Sequence, residues 1–81
     1  MKSYDPKEIA SIVDVYMRIA YAKIAIDTID GKTNPKYRAA LARNILEHLL
    51  PKFYHTIPLP VRRRAGVDVK DLEERCQKLL E

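Results

Sequence analysis

The sequence has few of the residues that stabilise small folds through disulfides or metal ions, or that form common active sites. It has one cysteine in 81 residues, which excludes an internal disulfide, and no Cys/His set has zinc-site spacing. It has two glycines and therefore no glycine-rich phosphate loop, and its two serines, Ser3 and Ser11, form no Gly-x-Ser-x-Gly elbow. No cofactor, metal or small-molecule substrate is indicated, so we expect a protein that is not an enzyme.

The sequence also has no run of 18 apolar residues, and Met1-Lys2 is followed by Ser-Tyr-Asp-Pro, which resembles no signal peptide. We therefore expect no membrane partner. A lone cysteine, Cys76, suits a reducing compartment, so the expected location is cytoplasmic. Charged residues make up 32% of the chain and thermolabile side chains are few, which favours a thermophilic source. The length predicts one small domain, residues 1–81.

Positive charge is concentrated in the middle of the chain. Residues 31–66 contain eight basic and one acidic side chain, a net charge of +7, whereas the whole chain carries +4. The flanking segments are acidic: residues 1–30 carry −1 and residues 67–81 carry −2. A partner of this protein is therefore expected to meet a basic middle third.

Capping signals and apolar periodicity predict an all-α fold, a small bundle of three helices. Helix 1 spans about residues 6–29, with Asp5 as N-cap, Pro6 at the first position and Glu8 completing a capping box. Helix 2 spans about residues 35–50, is capped by Thr33 or Asn34 and is kinked at Pro51. A Pro/Arg-rich connector at 56–67, in which residues 62–65 would form a short fourth helix, leads to helix 3 at about 69–80.

Helix 1 carries two apolar stripes on nearly opposite sides, and each stripe has 3-4 spacing. A helix in a three-helix bundle buries one broad face, so the second stripe predicts self-association or a protein partner. Alternatively, helices 2 and 3 cover both sides. One stripe contains Ala10, Val13, Met17, Ala20 and Ile24. The other, which we assign to the interface, contains Ile12, Val15, Ile19, Ala22, Ile26 and Ile29.

The basic middle third predicts a surface that binds the phosphate backbone of DNA or RNA. Its candidate residues are Lys32, Lys36, Arg38, Arg43, Lys52, Arg62, Arg63 and Arg64. Nearby, Tyr37, Tyr54 and His55 are candidates for stacking on bases. Two alternatives remain open: the arginines pair with the acidic helix 3, or they dock on an acidic partner protein.

Residues 43–48, with the sequence RNILEH, suggest a further alternative. The segment is similar to the Arg-polar-x-x-x-His motif of the higher-eukaryote-and-prokaryote nucleotide-binding (HEPN) ribonucleases, which are all-helical and often dimeric. The resemblance covers six residues of the 81. It implies that His48 acts as general acid or base and that Arg43 stabilises phosphate charge at a dimer interface. His48 and His55 by themselves make a poor metal site, because no carboxylate or cysteine has matching spacing.

The leading hypothesis is therefore a small, basic, non-enzymatic protein that binds nucleic-acid backbone and acts as a homodimer or accessory subunit. A protein-interaction module that does not touch nucleic acid is the first alternative, and the HEPN-like ribonuclease is the second.

Overall fold

The computed structural model describes residues 3–51, 55 and 57–81. These residues form three α-helices, α1 (Pro6–Asp27), α2 (Pro35–Asn44) and α3 (Leu59–Leu80), with a π-helical segment, Ile45–Leu49, continuing α2. No strand occurs among them. The predicted all-α, three-helix fold is thus confirmed, while two boundaries differ from the expectation.

The start of α1 follows the capping signals in the sequence. The Asp5 carboxylate accepts a hydrogen bond from the Glu8 backbone N–H at 2.8 Å, and the Glu8 carboxylate accepts one from the Asp5 N–H at 3.1 Å. This reciprocal pair satisfies two N–H groups that have no partner within the helix. The helix ends at Asp27, two residues before the predicted end, where the Thr28 hydroxyl donates to the Ala25 carbonyl at 2.7 Å.

The turn between α1 and α2 is built around Asp30. Its carboxylate accepts hydrogen bonds from the Lys32 N–H at 2.8 Å and the Thr33 hydroxyl at 3.2 Å. Asn34 caps α2 by accepting from the Lys36 N–H at 2.8 Å. Of the two predicted caps, Asn34 is therefore the one used, and Thr33 stabilises the turn instead.

Helix 2 ends before Pro51 and does not kink there. The last residues of α2 widen into the π-helical segment, and Leu50 is extended, with φ −63° and ψ 137°. A proline disfavours the helical conformation of the preceding residue, which explains the extended Leu50. Pro51 itself is buried.

Helix 3 begins at Leu59, ten residues earlier than expected, so residues 59–67 of the predicted connector are helical. Pro58 is the N-cap and Pro60 lies in the first turn, where a missing N–H costs nothing. Val61 and Ala65 extend the apolar seam of Val69 backward at four-residue spacing. Burial of this longer seam outweighs the roughly 1 kcal/mol cost of a glycine inside a helix.

The molecule measures 49 × 19 × 17 Å. Asp27 at the C-terminal end of α1 pairs with Arg75 near the C-terminal end of α3, so these two helix ends lie together. The core between the helices contains Val15, Ile19, Ala22, Ile26, Ala42, Ile45, Ile57, Ala65, Val69, Leu72 and Cys76, and no described polar side chain is buried in it. Tyr37, one of the candidates for stacking on bases, is 60% exposed.

Candidate interaction surfaces

One stripe of α1 forms the core and the other remains exposed. Val15, Ile19, Ala22 and Ile26 of the predicted interface stripe are buried within this chain, and Ile12 and Ile29 are half-buried. These residues therefore pack against the other helices of the same molecule and are not free to form an interface. The candidate interface is therefore the opposite stripe of α1, which contains Val13, Met17 and Ile24.

The outer face of α1 exposes a continuous apolar surface. Val13 and Met17 are each 49% exposed and Ile24 is 61% exposed, and they belong to the second 3-4 stripe. Ile9, Tyr16 and Tyr21 flank them at 50%, 41% and 55% exposure. We call the set Ile9, Ala10, Val13, Tyr16, Met17, Ala20, Tyr21 and Ile24 the outer face of α1. It contains no charged side chain.

Charges beside the outer face are neutralised within the molecule on one side. The Arg18 Nε lies 3.1 Å from the Asp14 carboxylate. The same guanidinium donates through Nη1 to the His48 carbonyl at 3.0 Å, with the Leu49 carbonyl at 3.5 Å. Carbonyls at a helix end have no partner within the helix, so Arg18 caps the π-helical segment from α1. The sequence indicated the Asp14–Arg18 pair but gave no signal for the capping contact.

At the C-terminal end of the outer face, Asp27 pairs with α3. The Arg75 Nη2 donates to the Asp27 carboxylate at 2.7 Å. The i,i+4 spacing would also allow Lys23 to pair with Asp27, but Arg75 occupies that carboxylate. This contact fixes α1 against α3 near the end of both helices.

The structure does not gather the eight candidate nucleic-acid residues into one patch. Lys32 lies in the turn after α1, and Lys36 and Arg43 share the solvent side of α2, about 10 Å apart. Arg38 is half-buried, and Lys52 lies outside the described residues. Arg62, Arg63 and Arg64 begin α3, about 17–20 Å along the helix from Arg75 and thus from the end that carries Lys32.

The three adjacent arginines occupy the first two turns of α3. Arg63 and Arg64 are exposed and Arg62 is half-buried. Because successive helical residues are rotated by about 100°, the three side chains fan over about 200°. No carboxylate among the described residues pairs with any of them. The alternative interpretation, that these arginines pair with acidic residues of α3, is therefore not supported by any described contact.

Arg43 and His48 of the HEPN-like motif both lie on the surface. His48 Nε2 is 3.7 Å from the Glu47 carboxylate, and its side chain is 72% exposed. A shallow cleft of about 220 Å³ beside it is lined by Leu41, Asn44, Ile45, His48 and Leu49. Neither residue is enclosed within one chain, so the chemistry implied by the motif would need a second copy to complete a site.

No group of three or more His, Cys, Asp or Glu side chains among the described residues is arranged to hold a metal ion. Cys76 is fully buried, and burial raises the pKa of its thiol above the ordinary value of 9.0. A thiol of this kind is neutral and inaccessible, and it acts as a small apolar core residue. None of the described helices combines the length and the apolarity needed to cross a bilayer.

The fold places this chain in the class of small all-α bundles. Within this bundle, one side of the long helix α1 is not covered by the other helices. No protein-family model matches the chain, and no curated protein or solved structure is significantly similar to it.

Proposed function

We propose that this protein is a small, non-enzymatic assembly subunit that docks a protein partner through the outer face of α1. The observation that carries the proposal is the concentration of exposed large apolar side chains on one side of one helix. Six of the nine large hydrophobic residues that are exposed in the described chain belong to this face. The proposal assumes the cytoplasm, where a lone thiol such as Cys76 stays reduced.

The size and shape of this surface support the proposal. The stripe from Ile9 to Ile24 is about 22 Å long. Its six large residues are 41–61% exposed, which amounts to roughly 600 Å² in total if an isolated large residue offers about 200 Å². The largest apolar patch on a typical monomer is about 300–600 Å² and is often functional, so this face lies at the upper end of that range. A helix face of this kind fits an apolar groove or another helix.

A site-specific photocrosslinker tests this docking in cells of the source organism. We would place it at Met17, in the centre of the outer face, and in a matched variant at Val67 of α3, which is 71% exposed. The expected result is a covalent adduct of defined mass at position 17, identified by peptide sequencing and lost when Val13→Glu is added. The Val67 variant should give no such adduct. Equal adducts at both positions, or none at position 17, would overturn the proposal.

A second candidate function is binding to nucleic-acid phosphate backbone through Arg62, Arg63 and Arg64. It is favoured by one specific observation: three adjacent arginines lie in the second turn of α3, and no described carboxylate pairs with them. A bound polyanion would supply the negative charge that these arginines lack within the described chain. Arginines that fan around a helix suit a polyanion, which can contact several sides at once, better than one small anion. Lys36 and Lys32 lie near the opposite end of the molecule and are not part of this candidate site.

A further inference from the structure

We infer that the occupant of the outer face of α1 is a second copy of this chain, and that the two α1 helices pair antiparallel around Met17. The inference rests on the proposed function, because it names the partner of the same face. Three features of the described residues support it: the charge of α1, the order of large and small side chains along it, and the area available.

The charge balance of α1 permits self-pairing although the chain carries +4. Helix α1 contains three basic and three acidic side chains, Lys7, Arg18, Lys23, Glu8, Asp14 and Asp27, so its net charge is zero. Two of its acidic groups are paired within the molecule, to Arg18 and Arg75. A second copy therefore brings a neutral helix against a neutral helix. A strongly charged partner would find no complementary group on this face.

The stripe is nearly symmetric about Met17, and this symmetry selects the antiparallel direction. Antiparallel pairing sets Ala10 opposite the partner's Ile24 and Ala20 opposite the partner's Val13. Each small side chain then faces a large one, as close packing requires. A parallel pair would set alanine against alanine and isoleucine against isoleucine, which leaves voids in some layers and crowds others.

The available area is adequate for a dimer with two-fold symmetry. Roughly 600 Å² from each chain gives at most about 1,200 Å² in total, the lower bound of stable specific interfaces. An interface with two-fold symmetry uses the same patch on both copies, so one apolar face satisfies both sides. We expect a dimer of moderate affinity that dissociates on dilution.

Sedimentation equilibrium over a range of concentrations tests the inference with wild type, Val13→Glu and Val67→Glu. Both variants place a carboxylate at an exposed helical valine, and only the first lies on the outer face of α1. The expected result is a wild-type dimer, a Val67→Glu dimer of similar affinity, and a dissociation constant raised at least about 100-fold by Val13→Glu. Circular dichroism at matched concentration checks that both variants remain helical.

Cysteine crosslinking tests the direction of pairing. Ala10→Cys and Ile24→Cys are made separately and mixed under mild oxidation, while Cys76 stays in place because it is buried. An antiparallel pair yields the mixed disulfide between positions 10 and 24. Disulfides joining 10 to 10 and 24 to 24 would overturn the antiparallel arrangement.

The outcomes separate the inference from the proposed function. A wild-type chain that stays monomeric, while the photocrosslinker at Met17 joins it to a different protein, overturns the inference and leaves the docking function intact. A monomer without any adduct at Met17 overturns both. A dimer that Val13→Glu and Val67→Glu weaken equally would show that another surface forms it, which also overturns the inference.

The same arrangement bears on the ribonuclease alternative. Arg43 and His48 lie on α2 and its π-helical extension, whereas the proposed dimer uses the side of α1 that faces away from the core. Neither Arg43 nor His48 belongs to the face through which the two copies would pair.

Discussion

Arg18 joins α1 to the end of the second helix through a single guanidinium. Its Nε is held by Asp14, and its Nη1 donates to the carbonyls of His48 and Leu49. The widened turn at Ile45–Leu49 and the extended Leu50 leave these carbonyls at a helix end, where a cation is a favourable partner. The side chain remains 39% exposed, so solvent weakens each of these contacts.

Replacing Arg18 by methionine should therefore destabilise the fold by about 1 kcal/mol, because solvent reduces the roughly 1.5–3 kcal/mol of a hydrogen bond to a charged group when that group is partly exposed. The measurement is the urea midpoint at a fixed protein concentration. Arg43→Met is the matched control, because Arg43 is an exposed helical arginine with no ion-pair partner among the described residues. If both variants lose the same stability, the capping contact contributes nothing measurable.

The sequence predicted side-chain hydrogen bonds and ion pairs only where both partners are close along the chain. The capping box of Asp5 with Glu8 and the pair of Asp14 with Arg18 follow from spacing alone. The contacts of Arg18 with His48 and of Arg75 with Asp27 join residues 30 and 48 positions apart. No spacing rule reaches that far, because such contacts depend on how the helices are placed.

Among the elements, α3 shows how tertiary packing overrides the helix-breaking tendency of proline and glycine. Two prolines and a glycine predicted a connector over residues 56–67, yet helix forms from Leu59 onward. The seam of Val61, Ala65 and Val69 is visible in the sequence at four-residue spacing, and this signal outweighs Gly66. The two stripes of α1 were also predictable, whereas the choice of the buried one required the positions of α2 and α3. The buried stripe is the one rich in β-branched residues, and the exposed one is flanked by Tyr16 and Tyr21.

A continuous α3 makes Gly66→Ala a stabilising change, by about 0.5–1 kcal/mol. Gly66 lies inside the helix without a positive φ, and a Cβ atom added there meets no atom within 4 Å. Alanine would lower the entropy of the unfolded chain and raise helix propensity without strain. Thermal unfolding followed by circular dichroism measures the effect.

Gly31→Ala is the control for that change, since Gly31 also has open space around its Cβ position but lies in a turn. It gains no helix propensity and should change stability less. A neutral or destabilising Gly66→Ala would contradict a helix that runs unbroken through residue 66.

At the scale of the whole molecule, sequence predicted the charge distribution along the chain but not its distribution in space. The run of eight basic residues in 31–66 suggested one surface. The fold instead places Lys32 and Lys36 near one end and the three arginines of α3 toward the other. The nucleic-acid candidate therefore predicts that binding depends on Arg62–Arg64 more than on the total charge. The outer face of α1 contains no charged side chain and includes none of these basic residues.

The triple variant Arg62→Ala, Arg63→Ala and Arg64→Ala tests this dependence. The measurement is affinity for a short mixed-sequence duplex and for single-stranded RNA at several salt concentrations. Wild-type affinity should fall steeply with salt, since each neutralised phosphate releases condensed cations. Loss of three phosphate contacts should weaken binding at least about tenfold at low salt and reduce the log–log slope by about 2–3.

The control is a second triple variant, Lys7→Ala, Lys23→Ala and Lys70→Ala, which removes three positive charges outside the basic block. Both variants have the same net charge, +1 instead of +4, so any difference between them reports position and not overall attraction. Equal weakening by both would show that the arginines form no site. If the wild-type protein does not bind nucleic acid at low salt, nucleic-acid binding is eliminated as a candidate function. Protein docking through α1 would then be the one remaining proposal.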